Sequence, residues 1–132
     1  MKAFLLKVAH TLQAVFESKS SMKEQVFFVK RLSFLIRAEV PVVEALSMLR
    51  DQAGSKRMSA VLSKVVSDVS NGHSLSASVK KYPNHFGSFA VHIMHIGEQC
   101  GTLPDNLEYL AEDLKKRSLL KRKIVSAFVY PV

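Results

Sequence analysis

At 132 residues the chain is one domain in length, enough to bury roughly two thirds of its unfolded surface in a single core. Apolar residues make up 48%, with only five glycines and four prolines, which excludes disordered and fibrous classes. The net charge of +8 is local: Lys115, Lys116, Arg117, Lys121, Arg122 and Lys123 supply six positive charges with no acid between them and leave only +2 for the rest.

Apolar residues recur at intervals of three and four, and no stretch alternates, so the spacing predicts an all-α protein. Phe4, Leu5, Val8, Leu12, Val15 and Phe16 share one stripe of an amphipathic N-terminal helix that ends before "SKSS". Ser21 followed by Glu24 fits a capping box and starts a helix near Met22, with Phe28, Leu32, Leu35 and Ile36 inward and an end before Pro41. Pro41 suits the first turn of the next helix, which carries Val42, Leu46 and Leu49 and which Gly54 can terminate. Met58, Val61, Leu62, Val65, Val66 and Val69 mark a third helix, ending at Asn71 and Gly72, where both residues tolerate a left-handed turn. Ser74 caps a short fourth helix closed by Pro83. The fifth runs from about Phe86 through Phe89, Ile93 and Ile96 to "GEQCG". Thr102 caps the last, whose face of Leu103, Leu107, Leu110 and Leu114 continues toward Ile124 and Phe128. The expected fold is a compact bundle of about six antiparallel helices with an extra N-terminal amphipathic helix.

The single cysteine, Cys100, allows no internal disulfide and no CxxC metal spacing, which points to a reducing compartment. Lys7 and His10 interrupt the apolar start and no small-x-small site follows, so a secretory leader is not expected. The apolar run from Ile124 to Val132 falls well short of the roughly 20 residues a membrane helix needs, and the chain is expected to be soluble.

Chemistry-bearing residues are few. His92, His95, Glu98 and Cys100 sit near one another in sequence, but positions three and six apart drift around a helix and do not close a tetrahedron, which favours ordinary histidines over a metal site. "GHSLS" lacks the second glycine and the preceding strand of a nucleophile elbow, so Ser74 reads as a helix cap. No phosphate-loop spacing occurs among the glycines. Glu98, between Gly97 and Gly101, reads first as part of a helix end: Gly97 admits a close backbone, Gly101 supplies a left-handed turn, and Glu98 pairs with a basic residue or caps a neighbouring helix. A direct partner contact at that loop is the other reading. No catalytic residue, cofactor site or metal is expected.

The basic cluster has three readings: a solvated helix face, a nucleic-acid contact, or a collar at the approach to a membrane. Aromatic residues for base stacking are missing nearby, and a basic collar ahead of an apolar ramp follows the positive-inside pattern, so the residues favour the third. A basic helical nucleic-acid-binding module is the rival from another class.

The run "GHSLSASVKKYPNHFGSFAVHIMHIGEQCGTLPDNLEYLAEDLKK", followed by "KRKIVSAFVYPV", resembles the cytoplasmic domain of the GspF/PilC inner-membrane platform proteins of type II secretion and type IV pilus systems. The pattern falls on Gly72, Ser74, Leu75, Pro83, Phe86, Gly97, Glu98, Gly101, Leu103, Leu110, Ala111, Glu112, Lys123, Ala127, Tyr130 and Pro131, in order. It spans about residues 25 to 132. One departure is visible: the family has Ala-Gly-hydrophobic-Pro between the first two helices, whereas here Ala38 precedes Glu39, Val40 and Pro41. Glutamate disfavours positive φ, so a differently shaped turn is expected.

The resemblance implies a non-enzymatic bundle that tends to dimerise, the first cytoplasmic domain of a multi-pass protein at the cytoplasmic face of the bacterial inner membrane. It implies a scaffold that couples an assembly ATPase to polymerisation of pilin or pseudopilin subunits, alongside other inner-membrane components. Residues 1–20 are then an amphipathic extension that docks on the bundle, a partner or the membrane, a partner or dimer contact being favoured. Residues 21–118 are the bundle. Residues 119–132 are the juxtamembrane end of the last helix before a transmembrane continuation. The expected contact residues are Gly72, Ser74, Pro83, Phe86, Gly97, Glu98, Gly101, Leu103, Tyr130 and Pro131, with Lys115, Lys116, Arg117, Lys121, Arg122 and Lys123 at the membrane and no nucleic acid.

Overall fold

In the computed structural model of the chain, residues 2–7 and 21–129 are described. Residues 2–7 are helical and exposed, Phe4, Leu5 and Leu6 included; the rest of the expected N-terminal helix, Val8 to Phe16, lies outside the described residues. From Ser21 onward six helices follow: α1 (Met22–Arg37), α2 (Val42–Asp51), α3 (Lys56–Ser70), α4 (Leu75–Val79), α5 (Ser88–Cys100) and α6 (Leu103–Val129). There is no strand among the described residues, and the fold is all-α.

Each helix packs on the next in the chain, and α6 returns to lie along α1, so the bundle closes as a ring. Its core is filled by Leu32 of α1, Leu46 of α2, Leu62 of α3, Val79 of α4, Met94 of α5, and Leu107 and Leu110 of α6, all fully buried. Phe28 and Phe86 meet edge to face at 5.3 Å inside it, an arrangement that suits the ring quadrupoles. Where α1 crosses α6, the buried hydroxyl of Ser33 donates to the Pro104 carbonyl at 2.8 Å, so a polar group enters the core already satisfied.

The helix boundaries follow local chemistry. Ser21 accepts from the Glu24 backbone N–H at the start of α1, and Ser55 does the same for Met58 at the start of α3. The Ser55 hydroxyl also donates to the Glu24 carboxylate at 3.1 Å, which ties those two helix starts together. Pro41 is the residue immediately before α2 rather than part of its first turn. That helix stops at Asp51 with Gln52 as its cap, so Gly54 is not its terminator; it lies in the turn that leads into Ser55.

The turn after α1 differs from the one expected. Glu39 has φ 65°, so the turn keeps the left-handed shape that glycine would give. Its N–H donates to the Ile36 carbonyl and that of Val40 to Leu35, the two bonds of a Schellman end, which hold the residue against its steric preference. Of the pair at 71 and 72, only Gly72 is left-handed (φ 97°), while Asn71 has φ −86°. Finally, the inward face of α5 is Ala90, Met94 and Gly97; Phe89 and Ile96 are exposed. Gly97 lets α5 approach the start of α6 closely, and Met94 is the large side chain that fills the face between Ala90 and Gly97.

Candidate functional site

Two helix turns dominate the motif residues, and the structure brings them to one joint. At the first, α3 ends on left-handed Gly72, with His73 N–H donating to the Asp68 carbonyl, and the chain turns into the five-residue α4. Ser74 accepts from the Ala77 N–H at 3.2 Å. The two N–H groups that precede Ala77 point at α5, where the Glu98 carboxylate receives both: Leu75 N–H on Oε2 at 2.9 Å and Ser76 N–H on Oε1 at 3.0 Å. A charged acceptor spanning two amides at a helix start is favoured by the orphan donors and by the helix dipole together. Of the readings open for Glu98, capping of a neighbouring helix is the one found.

At the second turn, Gly97 occupies the crossing of α5 and α6. A methyl group there would stand 2.8 Å from the Cα of Leu103, so only glycine permits this approach. Thr102 N–H donates to the Gly97 carbonyl, and left-handed Gly101 (φ 70°) redirects the chain into α6. The Asn106 side chain, packed against Gly97, donates to the Ile93 carbonyl at 3.0 Å and accepts from the Thr102 hydroxyl.

Sequence reasoning overlooked Asp68, the residue that locks α3 onto α4. Its carboxylate accepts from the Ser78 hydroxyl at 2.7 Å and from Lys81 Nζ at 3.1 Å. The Ser78 hydrogen bond, then that of Lys81, hold its pKa below the ordinary carboxylate value. An acid four residues ahead of a helix-ending glycine was the available signal. Arg37 was missed as well: it reaches from the end of α1 to Asp105 and Glu108 at the start of α6.

The other motif residues divide by burial. Phe86, Leu103, Leu110 and Ala111 are core, whereas Gly72, Ser74, Pro83 and Glu112 are at the surface. Ser74, Pro83 and Phe86 also line a cleft of about 550 Å³ between α4 and α5, together with Lys80, His92 and His95. Tyr130 and Pro131 lie outside the described residues. His92, His95 and Cys100 are exposed, and no three metal-ligating side chains gather among the described residues.

Leu114 is the last core residue of α6. Beyond it the helix leaves the bundle, with Lys115, Lys116, Lys121, Arg122 and Lys123 exposed beside Leu119, Leu120, Ile124 and Val125. Arg117 is drawn back, pairing with Asp113 at 2.9 Å and lying over the Phe89 ring at 5.1 Å. At about 100° per residue, the remaining cations point all round the helix, and so do the exposed apolar side chains. No helix among the described residues is long and apolar enough to cross a membrane.

The closed helical ring carries its marked residues at joints, and a basic helix end leaves it. The family model for type II secretion system protein F matches residues 28–132, and the chain belongs to that family. It is 30% identical over 105 residues to type 4 fimbrial assembly protein PilC of Pseudomonas putida, covering 80% of this chain and 26% of that protein. It is 32% identical over 112 residues to type II secretion system protein F of Pseudomonas aeruginosa, covering 85% and 28%. Type IV pilus assembly protein PilC of Thermus thermophilus is 30% identical over 116 residues, covering 88% and 28%. The chain thus spans just over a quarter of the length of these relatives.

Proposed function

We propose that the chain is the first cytoplasmic domain of an inner-membrane platform protein, a non-enzymatic scaffold coupling an assembly ATPase to the polymerisation of pilin or pseudopilin subunits. The observation that carries this reading is the family match combined with the way α6 leaves the bundle. A helix lying on a membrane surface, or along a nucleic-acid groove, needs its cations on one side. A helix meeting a membrane end-on tolerates them all round, because every direction reaches headgroups. Lys115, Lys116, Lys121, Arg122 and Lys123 form such a collar, and residues 119–132 are then the entry to a transmembrane continuation. The same geometry counts against the nucleic-acid module. Residues 21–118 form the scaffold body, with family-motif positions such as Ser74 and Glu98 fixing its shape and its surfaces meeting the other assembly components and a second copy.

Co-purification tests the proposal. From detergent-solubilised membranes, the full-length protein is expected to retain the assembly ATPase and to support pilus or pseudopilus formation. Exchanging residues 21–118 for an unrelated helical bundle of similar length is expected to abolish both. Retention of the ATPase and continued assembly with the exchanged bundle would overturn it.

A further inference from the structure

The surface of α1 is more apolar than a finished surface requires. Phe34 is 70% exposed and Phe27, two turns earlier on the same side, is 44% exposed. Phe27 lines two adjoining depressions. One, of about 250 Å³, runs between the start of α1 and the α2–α3 turn and has an apolar floor of Phe28, Leu49, Met58 and Leu62. The other continues along α1 past Lys30 and Arg31 to Phe34. Together they make a groove about as long as α1, with the Phe27 ring where the two depressions meet and the Phe34 ring near one end.

The rim charge is net positive. Lys23, Lys30 and Arg31 border the groove against one carboxylate among its lining residues, Glu24, which keeps its charge while accepting from the Ser55 hydroxyl. Arg31 is itself held in place, stacked 4.6 Å above Phe27 and bonded to Gln52, so it presents a fixed positive edge. This charge discriminates among occupants. A second copy would bring the same cations against themselves. The chain's own N-terminal stretch carries Lys2, Lys7 and Lys19 against Glu17 alone and would be repelled likewise.

We infer that the α1 groove is a docking site for an amphipathic helix of another protein, one with two apolar anchors seven residues apart that meet Phe27 and Phe34 and with acidic residues on its flanks. Anchors at that spacing fall on one helix face and match the two-turn separation of the rings. The acidic flanks face Lys23, Lys30 and Arg31, which makes association salt-dependent and sets orientation. This deepens the platform reading by naming the surface and the chemistry of a protein partner, and it rests on that reading only for who the partner is.

The test uses the full 132-residue chain as bait for a displayed library of helical peptides of about 16 residues, with core and flank positions randomised. Peptides with paired apolar anchors and Asp or Glu flanks are expected to be enriched. They should bind F34E and the double variant K30E/R31E at least about tenfold more weakly than the native chain. Both variants change exposed positions, and an unchanged helical circular dichroism spectrum confirms that they fold. The inference is overturned by no enrichment, by enrichment of basic or uncharged flanks, by binding indifferent to F34E, or by F34E removing a self-association of the chain. Markedly tighter binding after deletion of residues 1–20 would likewise overturn it, by assigning the groove to the chain's own N-terminus. If the peptides ignore Phe34 while the assembly ATPase still co-purifies with the full-length protein, this proposal falls and the platform reading stands.

Discussion

Glu39 holds φ 65° at the end of α1, where a side chain crowds its own backbone and glycine does not. Replacing it by glycine is expected to raise stability by about 0.5–1 kcal/mol, read as a higher urea midpoint at unchanged slope. A lower midpoint would show that the Glu39 side chain holds the turn. Gly97 predicts the opposite sign. Gly97→Ala places a methyl 2.8 Å from the Leu103 Cα, and backbone cannot swing aside as a side chain can. A loss of about 1–3 kcal/mol is expected in the same measurement. The two positions differ in how legible they were. Gly97 could be marked from sequence as a point of close approach. The shape of the Glu39 turn was misjudged, because propensity argues from the residue alone, while the Schellman bonds from Glu39 and Val40 to the α1 carbonyls belong to the segment.

Among the elements, α4 depends most on others. Five residues are too few for a helix to persist on its own, so its start is held by Ser74 and by Glu98 from α5. Glu98→Ala strands the Leu75 and Ser76 amides and is expected to cost about 1–3 kcal/mol. Glu98→Gln keeps an acceptor and is expected to lose less. Amide hydrogen exchange at residues 75–79 should rise with the larger loss; unchanged protection there would contradict the joint. Asp68 adds a pH dependence. Its folded pKa lies below the unfolded value, so its contribution is complete above the ordinary carboxylate range and disappears as pH falls through the folded pKa. Asp68→Asn is therefore expected to be less stable than the native chain at pH 7. The gap should hold down to about pH 4 and close below it. Most helix limits and most inward faces were readable from the three-and-four spacing and the caps, the end of α2 being an exception. The face of α5 was not: Phe89 and Ile96 carry the apolar signal, but the contact is made by Ala90 and Gly97, whose smallness is the signal.

In the whole molecule, the ring of helices and the departing end of α6 separate two tasks. The ring gives a body whose shape is set by buried leucines and by the Gly72–Glu98 joint. The end of α6 gives that body a direction, since its apolar face is spent by Leu114 and its cations surround the axis beyond. Closure of α6 onto α1 was not legible in the sequence, because Ser33 to Pro104 and Arg37 to Asp105 join residues about 70 positions apart and neither end announces the other. The proposed topology is open to one direct measurement. Cys100 is the chain's only cysteine and is exposed, so in a full-length protein whose other cysteines are serine it reports the side of the membrane on which this domain stands. A membrane-impermeant maleimide is expected to label it in inverted inner-membrane vesicles and to leave it unlabelled in intact spheroplasts. Labelling in intact spheroplasts would contradict the account.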